Sequence, residues 1–214
     1  MRTIKAQPLT KEAFAPFGEY YDYANPDGYS LNGELHRFFP DRLTVYQGNK
    51  VAFSPILVKK PEQMLVTQVE YHTTTAELIL PINDDMILHV APPSAGKPIP
   101  DYTKAFIVPK NTLVKMNACV WHLAPLPKNK EELSAIIILP ECTYMNDCTV
   151  VSLAADDKFV IECDGVEDNK PAKVTNMKKQ AIFERTGLKV SRISIREWNI
   201  SQKACIDRII NSNY

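Results

Sequence analysis

Glycine is scarce in this chain, with 7 residues in 214 against 16 prolines. Proline fixes φ and removes a backbone donor, so this balance argues against long uninterrupted helices and favours short strands bounded by fixed turns. Long apolar runs are also missing; none approaches the roughly 18 residues of a membrane-spanning helix. The opening residues Met1-Arg2-Thr3-Ile4-Lys5 lead into polar sequence without the apolar core of a secretory signal, so a cytoplasmic location is expected. Neither sign of charge dominates, with 25 Lys and Arg against 25 Asp and Glu. That removes the electrostatic case for nucleic acid or an anionic membrane as partner. The five cysteines, Cys119, Cys142, Cys148, Cys163 and Cys205, are odd in number and form no C-x-x-C pair. In a reducing compartment they read as small buried hydrophobes or thiols, and Cys142 and Cys148 are too weak a pattern for a zinc site. Histidine is limited to His36, His72, His89 and His122.

What is present describes a globular β protein. Hydrophobic residues make up 45% and charged residues 23%, ordinary values for a folded domain. A short helix is expected within residues 8–17, with Thr10 as N-cap and Pro16 and Gly18 as stops. Tyr20 to Tyr23 reads as a strand start, before the turn Asn25-Pro26-Asp27-Gly28. Strand-like segments then follow at 43–46, 51–57, 65–72, 76–80, 86–90, 103–108, 112–116, 134–139 and 149–153. Between them lie turn signals such as Asn83-Asp84-Asp85, Pro109-Lys110-Asn111 and Pro127-Lys128-Asn129. Residues 92–101 are too rich in proline to pair centrally and read as a loop. Many short strands with frequent turns indicate an antiparallel sandwich or barrel over residues 1–154. Residues 155–214 read as an extension: a strand at 159–163, a short helix at 176–185, a strand at 190–195 and a last helix from Ser201. That extension would pack on the barrel or on a partner subunit.

The most informative local pattern is Glu70-Tyr71-His72, then Glu77, then Val120-Trp121-His122. Glu70 and His72, two apart, share one face of a strand. Glu77 can join them if Thr73-Thr74-Thr75 makes a turn. His122 arrives from a second strand-like run 50 residues beyond His72. Two inward-pointing pairs meeting inside a barrel offer mixed N/O ligands to a divalent metal. The plainer alternative is that His122, beside Trp121, is a hydrogen-bonded core histidine. His89, in an apolar run, reads as structural. A Cys119–His122 nucleophilic pair is disfavoured, because positions three apart on a strand face opposite sides.

Several ordered motifs resemble the ureidoglycolate lyase family. They are Pro8-Leu9-Thr10-Lys11-Glu12-Ala13-Phe14-Ala15-Pro16-Phe17-Gly18, then Val69-Glu70-Tyr71-His72 followed by Glu77-Leu78-Ile79-Leu80-Pro81-Ile82. Lys104-Ala105-Phe106-Ile107, Val120-Trp121-His122 and Pro125-Leu126 complete the set, and order and spacing agree over about residues 7–152. The chain departs from the family at Glu77, where the family usually has Gln, and at Leu113, Met116 and Leu123.

The resemblance implies a cupin-type β-barrel (jelly roll) and an enzyme that splits ureidoglycolate into glyoxylate and urea in allantoin and purine degradation. It aligns Glu70, His72, Glu77 and His122 with the cupin metal pattern, so these four are the expected catalytic and metal residues. Mn, Zn, Fe and Ni all suit such a donor set, and no organic cofactor is expected. The expected partners are a small carboxylate metabolite and a second copy of the chain in a homodimer. For substrate binding, Lys115 and Arg37 are candidate carboxylate clamps, Trp121 a pocket wall and Asn117 a donor to a carbonyl oxygen. Two alternatives remain open at the level of sequence. One is another cupin enzyme, an isomerase or metal-dependent oxygenase acting on a hydroxy or keto acid; the other is a non-enzymatic cupin that binds a small ligand.

Overall fold

The computed structural model describes residues 2–48 and 50–163. The helix expected at 176–185, the strand at 190–195 and the helix from Ser201 lie outside the described residues. In chain order the elements are β1 (Arg2–Pro8), α1 (Lys11–Phe14), β2 (Gly18–Asp22), β3 (Leu31–Asn32), β4 (Arg37–Phe38), β5 (Val51–Lys59), β6 (Leu65–Val66), β7 (Gln68–Tyr71) and β8 (Glu77–Pro81). They continue with β9 (Met86–Val90), β10 (Lys104–Val108), β11 (Thr112–Met116), β12 (Leu126–Pro127), β13 (Glu132–Pro140), α2 (Thr143–Asn146), β14 (Thr149–Ser152) and β15 (Phe159–Glu162). The fold is mainly β, as the turn-rich sequence led us to expect.

Two curled sheets carry the core. One runs in the order β12-β9-β10-β1-β15-β6 and the other β2-β11-β8-β13-β5, while β14-β7 and β3-β4 form two-stranded ribbons. Alternating side chains divide the apolar residues between faces. Ile79, Val114, Met116, Leu133 and Ala135 from the five-stranded sheet meet Met86, Leu88, Val90, Phe106 and Val108 from the six-stranded sheet in one core, which Phe14 and Phe17 plug. Each such side chain, fully buried, contributes about 1.5–3 kcal/mol. A second core on the far side of β9 and β10 gathers Ile87, Ala91, Ala105, Trp121, Val69 and Phe159. Strand β9 is therefore buried along its whole length. Gly18 opens β2 where no side chain fits: its φ is +156°, and a Cβ there would lie 1.9 Å from the Lys115 carbonyl oxygen.

Three expectations change, and one strand is new. Arg2–Pro8 is a strand, with Ile4 and Ala6 buried, and it pairs in parallel with both β10 and β15; the other described pairings are antiparallel. The expected helix at 8–17 shrinks to one turn, because Pro8 belongs to β1; Thr10 caps it as expected, its Oγ1 accepting from Ala13 N–H. Residues 43–46 form no strand; Leu43 instead packs on the outer face of the five-stranded sheet, against the cluster of Leu78, Leu113 and Ile138. The run 65–72 breaks at Thr67, so that β6 pairs with β15 and β7 with β14. Strand β15 thus belongs to the large sheet, within a compact unit bounded at Met1–Cys163.

Candidate metal centre

The site lies at one end of the core between the sheets. Val69 and Tyr71 of β7 face the second core, so the period-two alternation turns Glu70 and His72 to the other side. Opposite them runs the segment 119–122. Glu70 N–H donates to the His122 carbonyl at 2.7 Å, His122 N–H returns a bond to Glu70 at 2.9 Å, and Cys119 N–H donates to the His72 carbonyl at 2.6 Å. The chain leaves β11 through a turn in which Cys119 takes a left-handed φ of 65°. The expected turn at Thr73-Thr74-Thr75 then delivers Glu77 as the first residue of β8, opposite Met116.

His72, Glu77 and His122 converge, all three buried, with ligand atoms within 4.8 Å of one another. Glu77 Oε2 lies 2.8 Å from His72 Nε2 and 3.0 Å from His122 Nε2. The other ring nitrogens face carbonyl oxygens: His72 Nδ1 meets Asp147 O at 2.5 Å and His122 Nδ1 meets Val120 O at 2.9 Å. A carbonyl oxygen only accepts, so each Nδ1 carries hydrogen. In a neutral imidazole the lone pair then sits on Nε2. Two such lone pairs cannot rest against a carboxylate oxygen that also only accepts. The short contacts require either two added protons or one shared cation.

The electrostatics follow from this arrangement. Burial would raise the Glu77 carboxyl, but the charges and hydrogen bonds of His122 and His72 outweigh it and hold it at about 2. Burial would likewise lower both histidines; the hydrogen bond and charge of Glu77 raise His72, and its charge and hydrogen bond raise His122. The donor set, two Nε2 atoms and a carboxylate with the imidazoles oriented by carbonyls, fits a divalent transition metal.

Glu70 stands at the edge of this trio. Its Oε1 is 3.9 Å from His122 Nε2, its Oε2 accepts from the Cys148 thiol at 3.4 Å, and its side chain remains 22% exposed. Burial and then Glu70's charge push the Cys148 thiol up to about 11, so the sulfur keeps its proton. The four expected substrate contacts are not brought to the trio. Lys115 stands opposite Leu78, one register position from the Met116–Glu77 pair, and so points to the outer face of the sheet. There it pairs with Glu19 and donates to the Thr44 carbonyl. Trp121 packs edge-on to Tyr71 in the second core and donates from Nε1 to Ser94. Asn117 is exposed and closes the turn to Val120 through its backbone. Arg37 lies on the exposed β3–β4 hairpin, stacked over Phe39 at 5.1 Å. His89 is buried in the second core against Phe159, its Nε2 without a hydrogen-bond partner among the described residues. Burial, then the nearby His122, pushes it down to about 3, which keeps it neutral.

Two residues at the site escaped the sequence reading. Asp147 and Cys148 reach it because β14 pairs with β7 in the register Thr149↔Tyr71. The available signal was weak: threonines in a turn bond a nearby acceptor where one is offered, and an aspartate just before a strand can supply it.

Comparison with known proteins points to one family. The family model for ureidoglycolate lyase matches residues 1–162. Ureidoglycolate lyase of Pseudomonas aeruginosa is 26% identical over 166 residues, 76% of this chain and 97% of the relative. The enzymes of the same name from Stutzerimonas stutzeri and Pseudomonas syringae pv. tomato are 25% and 28% identical, each over 76% of this chain and 96% of the relative. Among solved structures, oxalate decarboxylase of Bacillus subtilis superposes with a TM-score of 0.35 at 15% identity, over 49% of this chain and 24% of that one; this likeness is too partial to bear on chemistry. With the family matched across all fifteen described strands, the chain belongs to the ureidoglycolate lyase family.

Proposed function

We propose that the protein splits ureidoglycolate, a hemiaminal bearing a carboxylate, into glyoxylate and urea, with a divalent cation held by His72, Glu77 and His122. The observation that carries this reading is the convergence of two Nε2 atoms, 2.8 and 3.0 Å away, on one buried carboxylate oxygen. A cation bound there supplies Lewis acidity and lowers the pKa of an oxygen brought against it.

The chain's own groups supply the proton transfers. Glu77 is fully engaged by both histidines, so it anchors charge and does not exchange protons with substrate. Glu70 is the partly exposed carboxylate beside them and acts as the general base. It takes the hydroxyl proton as the carbon–oxygen double bond forms, and the carbon–nitrogen bond breaks. It then returns that proton to the departing urea nitrogen, so protons balance over the cycle. The Cys148 thiol, holding the far oxygen of Glu70, fixes which oxygen faces the substrate. Cytoplasmic location and a homodimer belong to the same proposal, the homodimer on the family resemblance alone.

The test is product analysis with the purified full-length chain and ureidoglycolate. Glyoxylate and urea in equal amounts support the reaction; ammonia in place of urea, or no glyoxylate with any of Mn, Zn, Fe and Ni, excludes it.

A further inference from the structure

Asp147 touches the site through two different groups. Its carbonyl oxygen accepts from His72 Nδ1–H at 2.5 Å. Its carboxylate accepts from the turn that follows His72: Oδ1 from Thr73 N–H at 2.7 Å and Thr73 Oγ1 at 2.5 Å, Oδ2 from Thr74 N–H at 2.8 Å and Thr74 Oγ1 at 2.6 Å. Thr73 and Thr74 are exposed, so water could satisfy their donors and folding does not demand this carboxylate. Its effect is to order the turn that leads from His72 to Glu77. The next residue, Cys148, places its thiol on Glu70. One short segment therefore holds two of the site's side chains.

We propose that Asp147 is the positioning residue of this centre: its carboxylate clamps Thr73 and Thr74 and so keeps its own carbonyl on His72 Nδ1, holding the ring with Nε2 toward Glu77. This rests on the reading of the trio as a metal centre. Cutting the clamp leaves the fold standing. Strands β7 and β14 stay paired from Thr149↔Tyr71 to Ser152↔Gln68, and 147 and 73 sit just past the end of that ladder, where fraying is local. Without the carboxylate the carbonyl drifts from Nδ1, and the His72 ring is free to turn Nε2 away from Glu77 and His122.

The experiment compares Asp147→Ala, Asp147→Asn and a control, Asp85→Asn, in the full chain. Asp85 is a comparable clamp elsewhere, its carboxylate accepting from Lys110 N–H and Lys128 Nζ. Mn(II) alone is titrated into each, with thermal melting alongside. Loss of an outer hydrogen-bonding partner typically lowers metal affinity about 10–100-fold. Asp147→Ala is expected in that range, Asp147→Asn between it and wild type, and Asp85→Asn at wild-type affinity despite a lower melting temperature. Wild-type affinity in Asp147→Ala overturns the proposal. Proton–nitrogen spectra of the metal-free protein with both rings protonated provide a metal-independent arm. Wild type should show a His72 Nδ1–H signal shifted downfield and shielded from exchange by its bond to the Asp147 carbonyl, and Asp147→Ala should lose that shift and protection; an unchanged Nδ1–H signal overturns the proposal. Failure of wild type to bind Mn(II) while that signal changes counts only against the metal reading.

Discussion

Replacing Glu77 with Gln tests whether one buried charge organises the site. Glu77 Oε2 takes hydrogen bonds from two protonated rings when no metal is bound. Bonds to charged groups are worth about 1.5–3 kcal/mol each and neutral ones about 0.5–1.5. Gln keeps an acceptor oxygen but loses the charge, so the net loss is about 2–3 kcal/mol at a pH where both rings are protonated. For a domain of this size that corresponds to a fall in melting temperature of about 4–12 °C. The sign with pH follows from the individual groups. Glu77, lowered from 4.5 to about 2, contributes stability that is present above 4.5 and lost as pH falls toward 2. His72 and His122, raised above 6.5, contribute stability that is complete below 6.5 and lost as pH rises through their folded values. The metal-free cluster is thus strongest between 4.5 and 6.5, and the cost of Glu77→Gln should be largest there. Melting in chelator at pH 5.5 and 8.5, for both proteins, reads the difference. Equal losses at the two values would refute the reasoning. With metal present, losing a direct ligand should cost more than the about 100-fold ceiling of an outer partner.

Three further outcomes are expected. Glu70→Gln should lower kcat by about 10²–10⁴ while leaving Mn(II) affinity close to wild type, because it removes the base and not the trio; steady-state kinetics with a parallel titration separate the two effects. Metal affinity of wild type should climb with pH by up to about 100-fold, or 2.7 kcal/mol, per unit while both histidines are protonated, since one cation displaces two protons. Competition with a chromophoric chelator at several pH values measures that slope, and a flat profile would show that the histidines are not the ligands. Gly18→Ala should destabilise by about 3 kcal/mol, the upper range of local backbone strain, since a Cβ there meets the Lys115 carbonyl at 1.9 Å; denaturant unfolding tests it, and a neutral result would place β2 differently against β11.

Much of the architecture was legible in the residues, and the errors share one cause. β9 and β11 fall where their apolar runs and flanking turns put them, because local pattern and tertiary role agree there. β1 was missed because its alternation, with Ile4 and Ala6 buried between polar neighbours, is short and its pairing is long-range and parallel. Glu70 and His72 fall on one side because alternation along β7 carries on through the residue after Tyr71. Lys115 was misplaced because its face depends on register against β8, and a one-residue step moves a side chain through the sheet. Asp147 was invisible for a related reason: nothing near it in sequence indicates that Tyr71 will stand opposite Thr149.

The central claim is that His72, Glu77 and His122 together hold a divalent cation that carbon–nitrogen cleavage requires. The most direct measurement is glyoxylate release from ureidoglycolate by the full chain, stripped with chelator and then reloaded, alongside His122→Ala treated in the same way. Activity should vanish on stripping, return with metal in wild type, and stay absent in His122→Ala, whose fold is checked by its far-ultraviolet spectrum. Full activity in the stripped protein, or in a folded His122→Ala, would contradict it.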